Sequence, residues 1–307
     1  MKQFLLFLLI YNMGLTQSFG QTLAERLGYS QETKLLIIHA DDLGISHAEN
    51  EASILAMKVG MVNSASIMVP CPWFPEIAAY AKDHPEADLG LHLTVTSEWK
   101  HLKWGATAKP STVPSLLNEQ GFFYDNCQEF AENAKLEEVE LELRAQVDRA
   151  IAFGVIPTHL DSHMGCVFFS SPEIFEVYLK VGRAYGLPTL VEEELLNTLP
   201  EGFKDKMEPT DIVIKKGIIA SPEHYPRGMA AYYENEMRNL PTGVSTILLH
   251  AAFNNEEMQA VTVDHPDYGA HWRQIDFDFF TSDRCKKILE EEQIKLITWR
   301  EIQAIMK

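Results

Sequence analysis

Two adjacent carboxylates, Asp41 and Asp42, close an apolar run in Ile38-His39-Ala40-Asp41-Asp42-Leu43-Gly44, where a buried strand would give way to a loop. Charge is costly in such a place unless something nearby compensates it. Neighbouring strand residues point to opposite faces, so both carboxylates serve one centre only if the chain turns there, and Gly44 permits such a turn. A metal ion with a proton acceptor beside it would use both, one as a hard oxygen ligand and the other next to an activated water. An Asp capping the following helix accounts for one carboxylate but not for the pair.

Histidines close three further runs. His92 interrupts Gly90-Leu91-His92-Leu93-Thr94, and taken alone it reads more readily as a satisfied core histidine than as a ligand. In Pro157-Thr158-His159-Leu160-Asp161-Ser162-His163, His159, Asp161 and His163 alternate and share one face if the strand continues. Because a ligating imidazole needs an acceptor on its other nitrogen, this His-Asp-His cluster is ligand-like. His250 follows Thr246-Ile247-Leu248-Leu249. The segment Asp264-His265-Pro266-Asp267-Tyr268-Gly269-Ala270-His271-Trp272-Arg273 is dense in polar and aromatic groups, and reads equally as the wall of a substrate pocket or as a turn-rich connection.

The elements that must position these residues follow from periodicity. Short Val-, Ile- and Leu-rich runs at 35–40, 64–69, 89–94, 157–160, 189–191, 212–214, 245–249 and 295–297 alternate with helical stretches at 46–59, 75–84, 136–153, 172–185, 226–240 and 276–291. That alternation predicts repeated βα units around a parallel sheet, in one domain with no low-complexity linker. In a barrel of such units all the strand ends open on one face, where barrel active sites lie, so the first, third, fourth and seventh runs would deliver their polar residues to one rim. Residues 95–135 break the rhythm. With Trp99, Trp104, Phe122, Phe123 and Tyr124 they read either as a binding loop or as a loop tucked onto the core.

The chain has 307 residues, 46% hydrophobic and 23% charged, with a formal net charge of −18, so nucleic acid and anionic membranes are poor partners and a neutral sugar is a better one. Met1-Lys2-Gln3, an apolar run over 4–10 and a small-residue stretch ending Ser18-Phe19-Gly20 have the layout of a secretory leader over 1–20, which predicts a mature domain over 21–307 and a secreted or periplasmic location. No later stretch approaches the length needed to span a bilayer. Cys71, Cys127, Cys166 and Cys285 lack metal-ligand spacing and read as buried or free thiols that could pair in an oxidising compartment.

The motifs Ala40-Asp41-Asp42-Leu43-Gly44, Asn63-Ser64-Ala65-Ser66-Ile67-Met68-Val69, Gly90-Leu91-His92-Leu93 and Thr158-His159-Leu160-Asp161-Ser162-His163 together resemble those of the YdjC-like (ChbG/HpnK) carbohydrate deacetylases, over roughly 34–306. The resemblance implies an α/β fold of the distorted (β/α) TIM-like barrel type and removal of acetyl groups from N-acetylated sugars or oligosaccharides. It further implies one divalent ion held by Asp42, His92 and His163, with zinc or magnesium foremost and manganese, cobalt or nickel also suited. Asp41 then matches the catalytic base and His250 the group that protonates the leaving amine. His159, Tyr268 and Trp272 are assigned to substrate binding, and a homodimer is compatible with the reading. The chain departs from the family pattern after His163, where it reads Met164-Gly165-Cys166, and after His250, where Ala251-Ala252 replaces Pro-Gly. Two rival readings remain: a secreted carbohydrate-binding protein of the same fold without catalysis, and a metal-dependent hydrolase of another bond.

Overall fold

The structure is a computed structural model that describes residues 21–208 and 210–306. The leader expected over 1–20 lies outside the described residues. Among the described residues, seven strands form one parallel sheet: β1 (Lys34–Leu43), β2 (Ser64–Ile67), β3 (Leu89–Leu93), β4 (Leu160–Ser162), β5 (Lys216–Ile219), β6 (Gly243–Leu249) and β7 (Lys295–Leu296). The order is β4-β3-β2-β1-β6-β5, and β7 pairs with the start of β1 through Leu35 and Leu36. Single bridges from Leu160 to Thr189 and from Glu192 to Ile214 carry the curl from β4 round toward β5, giving the distorted α/β barrel.

Those bridges are all that forms where the runs at 189–191 and 212–214 predicted strands. The fifth strand is instead Lys216–Ile219, whose Lys-Gly start hides it from an apolar-run search. The Glu192 carboxylate packs where a Cβ on Gly217 would stand and accepts the Gly217 N–H at 3.0 Å.

Helices flank the strands as their periodicity predicts. Leu136–Ala152 turns Val139, Leu143, Val147 and Ala150 inward, and Pro172–Tyr185 starts on a Ser171 cap and stops at Gly186 in the left-handed conformation. The stretch at 276–291 is not one helix but two, Ala270–Phe280 and Asp283–Glu291. Ser282 breaks the run by accepting the Cys285 N–H as a new N-cap. Residues 95–135 pack Trp99, Trp104 and Phe123 into the core, so for these aromatics the tucked-loop reading holds. Cys127 and Cys166 form a disulfide, while Cys71 and Cys285 are buried free thiols. No helix among the described residues is long and apolar enough to cross a membrane.

Candidate metal centre and active site

The paired carboxylates are brought to one place by a bulge. Along β1, His39 and Ala40 face Ser64 and Ala65 of β2, but the next matched pair is Leu43 with Ile67, so β1 carries one extra residue. Asp42 takes up the excess in the left-handed conformation at φ 68°, one that Asp tolerates better than most residues. The turn allowed by sequence therefore falls on Asp42 itself, and both carboxylates enter the barrel mouth.

The interior beneath them is polar. His39 Nδ1 lies 2.9 Å from Ser64 Oγ, and its Nε2 lies 2.9 Å from Asp161 Oδ2 and 3.1 Å from Asp41 Oδ1. Burial opposes a charge on this ring, yet Asp161 and Asp41 push its pKa up to about 9. Deeper still, His159 stacks on Trp299 and occupies the space left by the missing side chain of Gly90. Burial, with His39 alongside, holds His159 well below the usual histidine range. Its ring has no exposed surface and packs one layer below the mouth.

Above this layer Asp42, His92 and His163 converge, with one donor atom from each lying within 4.8 Å of the others. Asp42 Oδ1 is buried and accepts no well-formed hydrogen bond, although His163 Nδ1 stands 3.2 Å away and His92 Nε2 3.4 Å away. The outer nitrogens are already engaged: His92 Nδ1 is 2.7 Å from Asp161 Oδ1, and His163 Nε2 is 3.0 Å from Glu98 Oε2. When each ring is neutral and gives its N–H to that carboxylate, both imidazoles turn a lone pair toward an orphaned carboxylate oxygen. Three acceptors without a proton between them are balanced by a cation, so the residues fit a divalent ion. In its absence the same field holds protons. Despite burial, Glu98 and Asp42 push His163 up to about 9, and Asp161 and Asp41 raise His92 well above its ordinary value.

The second oxygen of Asp42 is clamped by Arg273, which donates to Asp42 Oδ2 at 2.8 Å and to Glu49 Oε2 at 2.9 Å. Burial would raise the Asp42 carboxyl, but Arg273, with His163 and His92, holds it well below the carboxylate range. The Arg273 guanidinium lies 5.3 Å from the centre of the Trp99 ring, so a tucked aromatic covers the clamp.

Asp41 keeps one oxygen free. Its Oδ1 faces His39 and Ser66, while Oδ2 has His250 Nε2 at 4.0 Å, beyond hydrogen-bond reach. Burial and the Arg273 charge pull His250 down to about 4 against the pull of Asp42 and Asp41. The backbone through the Ala251-Ala252 departure is held: the backbone N–H of His250 donates to Asp276 Oδ2 at 3.0 Å, Ser53 Oγ donates to the Ala251 carbonyl, and the Ala252 N–H donates to the Arg273 carbonyl. Tyr268 packs edge-on against the His250 ring and is half-buried at the mouth. Trp272 is buried behind it, stacked on Tyr225 and tilted against Tyr268.

Sequence reasoning missed Glu98, Glu49 and His39 and named Arg273 only as part of a loop. Glu98 lies in the unpatterned segment and Arg273 inside a helix whose start was not foreseen; neither carries a linear signal. The acceptor role expected of Asp161 is present, served to His92 across the β3–β4 pair.

The model of the YdjC-like protein family matches residues 35–291, which is most of the chain. The chain belongs to the YdjC-like family. A carbohydrate deacetylase of Thermus thermophilus is 32% identical over 286 residues, covering 92% of this chain and 98% of that one. A carbohydrate deacetylase of Brevibacillus brevis is 28% identical over 87% of this chain and 99% of its own. Among solved structures, a candidate cellobiose-phosphate cleavage protein of Enterococcus faecalis superposes with a TM-score of 0.72 at 25% identity, covering 88% of this chain and 99% of that chain. The fold of this YdjC-like protein is thus that of a solved structure over nearly its whole described length.

Proposed function

We propose that this YdjC-like protein removes acetyl groups from N-acetylated sugars by metal-assisted hydrolysis. The observation that carries the reading is the orphaned Asp42 Oδ1 between two inward-facing histidine nitrogens, with the free oxygen of Asp41 beside it. Full-length similarity to carbohydrate deacetylases, and partial similarity to a chitooligosaccharide deacetylase of Serratia marcescens over 52% of this chain, support the substrate class.

Asp42, His92 and His163 would hold the ion, and one carboxylate oxygen with two imidazoles suits zinc. When bound, a divalent ion supplies the positive charge that acidifies a water and polarises an acetamide carbonyl. Asp41, held on one oxygen by His39, accepts the water's proton on the other. His250, neutral at rest, has Nε2 4.0 Å from that oxygen, too far for a direct hydrogen bond, so the proton gathered by Asp41 reaches His250 through a bridging water and passes from it to the departing nitrogen as the C–N bond breaks to give acetate and amine. Tyr268 and the rim above it face the sugar.

Asp41→Asn should lower acetate release from N-acetylglucosamine oligomers by about 10²–10⁴-fold while divalent-ion binding is kept. Loss of ion binding in that variant would overturn the base assignment. Export belongs to the same proposal. The Cys127–Cys166 disulfide supports it, because such bonds persist in oxidising compartments. Sequencing of the exported protein should find a new N-terminus near Gln21, and an intact Met1 would contradict it.

A further inference from the structure

His92 and His163 reach the centre through different nitrogens. His92 turns Nε2 toward Asp42 and engages Asp161 through Nδ1, whereas His163 turns Nδ1 toward Asp42 and engages Glu98 through Nε2. An imidazole presents a lone pair on one nitrogen only if the other carries the proton, and the acceptor at that second nitrogen decides which tautomer is held. Asp161 does this for His92 from the neighbouring strand. His163 sits past the end of β4, on the turn through Met164 and Gly165, both at positive φ, so its ring is not fixed by strand geometry.

We propose that Glu98 is the positioning residue of His163, holding its proton on Nε2 so that Nδ1 is the metal-binding atom. Both Glu98 oxygens lie within reach of His163 Nε2, at 3.2 and 3.0 Å. The backbone that carries this carboxylate is pinned at the preceding residue. The Ser97 N–H donates to the Tyr124 carbonyl at 2.8 Å, Ser97 Oγ accepts the Trp104 N–H at 3.0 Å, and Lys103 Nζ donates to the Ser97 carbonyl at 2.6 Å. Trp104 also sets its ring edge-on to the His163 ring, and the Cys127–Cys166 disulfide fastens the segment carrying Glu98 to the turn just after His163. The irregular segment thus serves the centre through one carboxylate, whatever else it does for substrate.

The inference rests on the metal reading, and one experiment separates the two. Zinc affinity is measured by chelator competition on metal-stripped wild type, Glu98→Ala and Glu98→Gln, and the His163 tautomer is read from ring-nitrogen NMR shifts of the zinc-loaded proteins. Wild type should bind one zinc with His163 protonated on Nε2. Glu98→Ala should bind about 10–100-fold more weakly with a mixed tautomer, and Glu98→Gln, whose amide oxygen still accepts the Nε2 proton, should recover most of the loss. Zinc affinity of Glu98→Ala within twofold of wild type, or Glu98→Gln as impaired as Glu98→Ala, would overturn the role of Glu98. Failure of wild type to bind zinc, manganese, cobalt, nickel or magnesium would overturn the metal reading itself.

Discussion

Each histidine of the centre has one nitrogen committed to a carboxylate, and this pairing makes ion binding depend on pH. In the metal-free protein Glu98 and Asp42 push His163 up to about 9, so the ring is charged at neutral pH and must lose its proton before an ion can enter. Affinity should therefore rise with pH up to about 9, by about tenfold per pH unit for each proton displaced. The stability of the metal-free protein runs the other way. A raised histidine value contributes fully below the unfolded value of about 6.5 and is lost as pH rises through the folded one, so stripping metal should matter more to stability at high pH than at low. Titration calorimetry at pH 6, 7 and 8 checks the first statement, and a flat affinity would contradict it. At this scale the sequence was legible where chemistry is concentrated: Asp41-Asp42 and the His159 to His163 motif stand out as types and spacings. It was illegible where one motif splits by depth. Alternation puts His159, Asp161 and His163 on one face, but only the structure shows the first packed below the mouth, the second engaging His92 and the third facing Asp42.

Elements matter here for what they deliver to the mouth. The bulge in β1 delivers both carboxylates, and helix Ala270–Phe280 delivers Arg273 to the far oxygen of Asp42. Arg273 balances two buried carboxylates at once, and burial already pushes Glu49 up to about 8 despite this partner. Arg273→Ala leaves the Asp42 carboxylate without its counter-charge and Glu49 without its hydrogen-bond donor, and should destabilise the protein by about 3–5 kcal/mol in urea unfolding; a loss under about 1 kcal/mol would show that the clamp is not what holds Asp42. The βα alternation, the single domain and most helices were legible because apolar periodicity is a local property. The start of helix Ala270–Phe280 was missed because it lies within a run of turn-forming and polar residues, and β5 was missed because Gly217, packed against the Glu192 carboxylate, stands at one of its apolar positions. Both failures come from tertiary contacts overriding local pattern.

Taken as a whole, the molecule is a curled parallel sheet, and buried carboxylates and histidines at the ends of β1, β3, β4 and β6 lie on one rim. Its strongly acidic balance suits a neutral sugar better than a polyanion. The irregular segment, the disulfide and helix Ala270–Phe280 are attached at that same rim, and they brace the centre from outside the sheet through Glu98 and Arg273. The proposed hydrolysis depends on an ion being held by Asp42, His92 and His163. The most direct test is acetate release from N-acetylglucosamine oligomers by metal-stripped protein as zinc is titrated back. Release should be absent in the stripped protein and return in proportion to zinc up to one equivalent per chain; full release from protein shown to contain no metal would contradict it.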